Sequence, residues 1–265
     1  MGGLNPQQAF SLYGSDNPIC TPEAFRASNY SAYVDGTLVR LLDWREPSAM
    51  AKMAHHFFRS FVLDDRFSCV GAKGAISSGG YRFGLYNGFP STTGTEGLAR
   101  DLAAFVAELP QMSARYKTFV AAFNDETLEE ADFERRLWDQ LAALHDVDRA
   151  YFDWDPSVSA DPDDPRFAFS VAGHAFFVVG MHPASSRLSR RLPFPALVFN
   201  SHAQFEALKT SGHFARIAKI VRERELERQG SINPNLTDYG AASEARQYSG
   251  RAVEEQWKCP FHPKS

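Results

Sequence analysis

The sequence predicts a mixed α/β fold: a central mixed sheet of about five to six strands flanked by helices, with an irregular C-terminal tail wrapped on the body. Two observations lead there. Runs with apolar residues spaced by three and four alternate with short β-branched and aromatic runs, and Gly, Pro and Asp punctuate the joins. At 265 residues with 44% apolar and 23% charged side chains, the chain has enough hydrophobic surface for one core, so a single domain is expected.

After an irregular start, residues 47–62 read as a helix, because Met50, Met53, Ala54, Phe57, Phe58 and Phe61 recur at helical spacing. Residues 67–76 and 81–86 read as two strands joined by the hairpin turn Ser77-Ser78-Gly79-Gly80. A helix follows near 95–109, with Leu98, Leu102, Phe105, Val106 and Leu109 on one stripe and Pro110 ending it. Residues 117–123 then supply a strand. Thr127-Leu128-Glu129-Glu130 has capping-box spacing for a helix reaching about His145, whose stripe is Phe133, Leu137, Trp138, Leu141 and Leu144. Pro and Asp dominate 154–165, which makes it a surface loop. Strands are expected at 167–171, 175–180 and 196–199. Ser201-His202-Ala203-Gln204 repeats the capping-box spacing for a helix to about Glu227, with Gly212 as a break. Beyond Gly230 the chain is polar and irregular, and its Trp257 and Phe261 rings should hold it against the body.

The 22 Phe, 9 Tyr and 4 Trp suit a pocket for a flat ligand, although an aromatic core accounts for the same rings. A net charge of −4 gives no electrostatic footprint for nucleic acid. No apolar run approaches the roughly 18 residues of a membrane span. The opening residues lack a basic and apolar leader, and Pro6 stands where a myristoylation site needs Ser or Thr. Cys20, Cys69 and Cys259 are odd in number and widely spaced, which fits reduced thiols in a cytoplasm. A cytoplasmic chain with neither membrane nor nucleic acid as partner is therefore expected.

Chemistry is sought at strand ends. His182 leaves the apolar run 175–180 into a loop and is followed by Arg187, Arg190 and Arg191. Its imidazole suits a metal or haem iron, and the arginines suit carboxylates, while a polar loop on a solvated face explains the same residues. His202 opens a helix, where the positive end favours a neutral ring; an ordinary first-turn histidine is the plainer reading. Cys69 is a soft ligand or nucleophile if a neighbouring cation or metal lowers its pKa, and otherwise a buried inert thiol. Cys259-Pro260 is a pair of the kind found where thiolate meets haem, yet the segment also serves as a cap on the core. The phosphate-cradling, nucleophile-elbow, zinc-protease and dinucleotide glycine motifs are all missing, which leaves a cofactor to carry any difficult step.

Arg66-Phe67-Ser68-Cys69-Val70-Gly71-Ala72, Tyr81-Arg82-Phe83, the run from His174 to Pro183 and Phe199-Asn200-Ser201-His202-Ala203-Gln204-Phe205 together resemble the YqcI/YcgG family. Gln229 to Pro234, Glu244 to Arg251 and Trp257-Lys258-Cys259-Pro260-Phe261 extend the likeness. It is closest to the haem-dependent guanidine N-hydroxylase branch, as in guanitoxin biosynthesis and a related arginine N-hydroxylase of the cycloserine pathway. The likeness covers roughly 51–261, and the chain reads as one domain over 1–265 with an irregular arm over 1–45 and an irregular tail over 230–265. The resemblance implies haem b and an oxygenase that hydroxylates a guanidine nitrogen of an arginine-like or cyclic metabolite. An external reductase or ferredoxin would supply electrons, and a homodimer is allowed. Under it, His182, Cys69 and His202 are the ordered axial-ligand candidates. Arg187, Arg190 and Arg191 are the candidates for the propionates, and Glu244 with Tyr248 for the guanidinium. The alternatives are a haem-binding or ligand-sensing module without turnover, and a cofactor-free protein whose rings only pack.

Overall fold

Side chains that alternate between two apolar environments build the middle of the sheet. The computed structural model describes residues 17–43, 45–126, 129–236 and 242–263. Seven strands lie in the order β2-β1-β3-β4-β7-β6-β5: β1 (Ser31–Val34), β2 (Thr37–Arg40), β3 (Tyr81–Asn87), β4 (Thr118–Asn124), β5 (Phe169–Val171), β6 (His174–Met181) and β7 (Ala196–Ser201). Only β3 and β4 run parallel; every other neighbouring pair is antiparallel. The fold is mixed α/β, as expected.

Around the sheet lie α1 (Pro22–Ala27), α2 (Ala49–Leu63), α3 (Val70–Ser77), α4 (Thr92–Glu108), α5 (Glu130–Asp148), α6 (His202–Thr210), α7 (His213–Gln229) and the short α8 (Ala245–Tyr248). One face of the sheet presents Phe119, Phe123, Phe176, Val178, Leu197 and Phe199 to α1, α4 and α5. The other presents Phe83, Val120, Met181 and Val198, among others, to α2 and the start of α3. The period of two places successive residues of β4, β6 and β7 on opposite faces. Gly180 of β6 is required by the first packing, since a Cβ there would lie 2.7 Å from Phe133 and 2.8 Å from Leu137 of α5.

Three expectations need correction. The arm over 1–45 is not irregular where it is described: β1 and β2 form a hairpin turning at Asp35 and Gly36, whose φ values of 48° and 85° suit the Asp-Gly pair. The strand expected over 67–76, with its hairpin to 81–86, is instead the helix α3, capped by the Cys69 sulfur accepting from the Ala72 N–H at 3.4 Å. The sheet thus has seven strands rather than five to six. Thr127 and Leu128 of the first capping box lie outside the described residues; α5 starts after Glu129, which makes no side-chain cap. Ser201 does precede α6, but its hydroxyl meets His174 Nε2 at 2.9 Å and does not cap the helix. The break at Gly212 is present, with φ of 72°, and separates α6 from α7. Past Gly230 the described tail is mostly irregular, and Tyr248, Cys259 and Phe261 are buried.

The tight β5–β6 turn at Ala172 and Gly173 is tied to the end of α5, because the Asp148 carboxylate accepts from the Ala172 N–H at 2.8 Å. Burial pushes the Asp148 carboxyl up to about 7, with the Ala172 N–H opposing. A raised carboxyl binds its proton more tightly in the folded chain, so its stabilisation is complete below the unfolded pKa near 4 and fades as pH rises through about 7. Relative to Asp148→Asn, the wild type should therefore lose stability between pH 4 and pH 8, on the order of 4 kcal/mol at about 1.4 kcal/mol per pK unit. Urea unfolding of both proteins across that range checks it; parallel pH profiles would contradict it.

Candidate functional site

The cleft with the most chemistry opens on the sheet face that carries α3. Its floor comes from Thr118 of β4, Phe177 and Val179 of β6 and Asn200 of β7, all on one side by strand alternation. Cys69, Gly71, Ala72 and Ala75 form the α3 wall. Opposite it, Phe205 and Leu208 of α6 and Phe214, Ile217 and Val221 of α7 supply an apolar wall at helical spacing. The cavity is about 300 Å³, at the lower end of the range for small-molecule sites.

The lining also carries polar side chains, among them Glu244, Asn200, Gln204 and Gln247. Asn200 donates its amide to Phe177 O and Val198 O at 3.2 and 3.3 Å, which directs its carbonyl oxygen away from those bonds. Gln204 accepts from the Lys117 backbone N–H at 2.9 Å, which leaves its NH₂ group as the donor. Glu244 is buried and held on both oxygens. Tyr248 OH donates to Oε1 at 2.6 Å, and His202 Nε2 lies 3.5 Å from Oε2. Burial pushes the Glu244 carboxyl above its ordinary value, while His202 and Tyr248 pull it back. Tyr248 OH also accepts from the Phe169 N–H at 3.0 Å and stacks its ring on Trp138 at 5.6 Å, which fastens the tail to β5 and α5.

Cys69 is half-buried. Burial raises its thiol pKa, Glu225 adds to the rise, and the N–H groups of Ala72 and Gly71 at the start of α3 oppose it. A metal would displace that proton outright.

The residues singled out from sequence divide into two groups. Cys69 and Glu244 line the cleft, and His202 and Tyr248 stand directly behind Glu244. His182 does not join them. Alternation along β6 continues through Phe176, Val178 and Gly180 to His182, and its fully buried ring stacks on Phe133 of α5 at 4.1 Å, on the opposite face of the sheet. Nor are Arg187, Arg190 and Arg191 in the cleft lining. Arg187 pairs with Glu225 at 2.8 Å and bonds Ser231. Arg190 donates to Tyr248 O at 2.9 Å, its pKa lowered to about 10 by burial. Arg191 donates to Ser185 O at 3.0 Å. Lys117, Arg166 and Arg222 contribute atoms to the lining, but the Lys117 ammonium donates to Leu109 O at 2.7 Å and Arg166 pairs with Asp164 at 2.9 Å. Asn200, Gln204 and Gln247 lie in segments that carry the family resemblance, Gln204 also closing a capping-box spacing, and nothing else in the sequence marks them as site residues. Among the described residues no three His, Cys, Asp or Glu side chains gather as a metal cluster; a haem iron needs only one such donor.

The YqcI/YcgG family model matches residues 58–262, the stretch that contains the cleft-lining residues. The chain belongs to the YqcI/YcgG family. It is 29% identical over 212 residues to the uncharacterized protein YqcI of Bacillus subtilis (strain 168), a match that covers 75% of this chain and 81% of that one. No solved structure matches. No helix among the described residues is long and apolar enough to cross a membrane.

Replacing Tyr248 by Phe should cost about 1–3 kcal/mol, because the buried Phe169 N–H loses its acceptor and Glu244 loses a donor. A shift in the urea midpoint checks this; an unchanged midpoint would show that the tail is anchored elsewhere.

Proposed function

We propose that this protein is a haem-dependent oxygenase that hydroxylates a guanidine nitrogen of a small metabolite, with the cleft between α3 and α7 as its active site. One observation carries the reading: a sulfur donor, Cys69, and a buried carboxylate, Glu244, line a single cleft whose remaining walls are mostly apolar and aromatic. The donor set fits haem. Ring and aliphatic walls suit a porphyrin, Cys69 suits its iron, and Arg166 and Arg222 in the lining are the nearer candidates for propionates in place of Arg187, Arg190 and Arg191. His202 keeps a role behind Glu244, and His182 drops from the order because it faces α5.

Bound haem supplies oxygen activation with electrons from an external donor, a reductase or ferredoxin. The chain's own residues position the substrate. The Glu244 carboxylate pairs with the guanidinium, whose planar N–H groups match carboxylate oxygens. The Asn200 carbonyl adds a second acceptor, and the Tyr248 hydroxyl fixes Glu244 Oε1 so that the pairing geometry is set before substrate arrives. A proton released from the guanidinium has Glu244 as its first acceptor and His202, beside Oε2, as the next. The apolar walls exclude water from the reacting nitrogen.

Full-length protein loaded with haemin should show a Soret band that moves on reduction under carbon monoxide. Cys69→Ala should abolish or displace that band, whereas His182→Ala should leave its position unchanged. With arginine-like guanidines and a reductant, mass spectrometry should find a product heavier by one oxygen. Glu244→Gln should keep the spectrum but raise the KM for the guanidine roughly tenfold or more, as expected for the loss of one charge-assisted bond. Absence of haem binding would reject the reading. Haem binding without any hydroxylated product would leave a haem-binding or ligand-sensing module.

A further inference from the structure

A second concavity lies away from the cleft and shares no lining residue with it: an open groove of about 630 Å³ between the β1–β2 hairpin and α2. Lys52, His56, Arg59, Ser60 and Leu63 line it from one stripe of α2, and Tyr33, Gly36, Thr37 and Leu38 line it from the hairpin. Arg59 is the unexplained member. It is half-buried, its guanidinium carbon lies 4.2 Å from the centre of the Tyr33 ring, and it donates to Ile76 O and Tyr81 OH, both at 3.4 Å. No carboxylate among the described residues pairs with it.

The groove's one acid, Asp64, is engaged by Arg66 at 3.1 Å. Lys52 pairs with Glu46, which is 88% exposed and easily exchanged for another anion. His55, hydrogen-bonded to Tyr81 OH at 2.7 Å, reports the same imbalance. Its pKa is lowered to about 4, by burial first and then by the positive fields of Arg59 and His56. Two full positive charges and a titratable imidazole thus face a groove with little opposing charge.

We propose that this groove is a second ligand site and that it binds a small phosphate-bearing dianion through Lys52, His56 and Arg59, with the hydroxyls of Thr37 and Ser60 beside them. Two converging cations match a phosphate dianion better than a single carboxylate. The size of the groove suits a metabolite rather than a polymer, and the chain's net charge of −4 disfavours a nucleic acid. The site stands apart from the oxygenase reading and holds whether or not the cleft takes haem.

The test is calorimetric titration of the full chain with inorganic pyrophosphate and, separately, inorganic phosphate at low ionic strength. Saturable binding is expected, weakened roughly tenfold or more by Lys52→Ala and by Arg59→Gln. Lys219→Ala, on the exposed side of α7, should leave it unchanged. Lys52 is exposed, so its variant remains informative if Arg59→Gln fails to fold. No saturable binding at millimolar probe, or equal affinity in wild type and Lys52→Ala, would overturn the proposal.

Discussion

Strand alternation is the constraint on which the site depends. The strands β4, β7 and β6 are covered on both faces, so each residue must belong either to the packing with α4 and α5 or to the face that carries α2 and α3. Thr118, Phe177, Val179 and Asn200 fall on the second face and floor the cleft. His182, five residues beyond Phe177, falls on the first and is sealed against Phe133. A shift of register by one residue would exchange these sets, which makes register a functional property of this sheet.

The cleft's chemistry comes from segments distant in sequence. Cys69 arrives on the start of α3, Asn200 and Gln204 on the β7–α6 junction, and Glu244 on the tail that Tyr248 fastens to β5. The buried Tyr248 hydroxyl serves both the Phe169 N–H and the Glu244 carboxylate, and the Arg251–Glu134 pair at 2.6 Å holds the tail to α5 beside it. Under the proposed function, substrate positioning and this tail contact share one interaction, since loosening it also releases Glu244. The Arg187–Glu225 pair, with Ser68 donating to Glu225 at 2.5 Å, similarly ties α7 to the body beside the cleft.

Much of the fold was legible in the sequence because long amphipathic stripes admit one reading. The stripes of α4 and α5 and the strands β3, β4, β6 and β7 were each placed within a few residues. Residues 67–76 misled because a short apolar run fits strand or helix equally, and here the choice was made by a cap from Cys69 and by burial of Ala75 and Ile76. The β1–β2 hairpin carries a short signal of its own, Asp35-Gly36 between two β-rich tetrapeptides. In the site, residue type pointed to Cys69, Glu244, His202 and Tyr248, which do assemble. Arg187, Arg190 and Arg191 stand outside the cleft lining, because proximity in sequence to His182 says nothing about which buried acceptors a guanidinium finds. Their partners, Glu225, Tyr248 O and Ser185 O, are fixed only by the tertiary fold.

The most direct test of this account is a crystal structure of the haemin-loaded full chain. It should contain the macrocycle on the Phe177 and Val179 face, between α3 and α7, with the Cys69 sulfur on the iron. A macrocycle on the α5 face beside His182, or a cleft that stays empty while haem sits elsewhere, would contradict it.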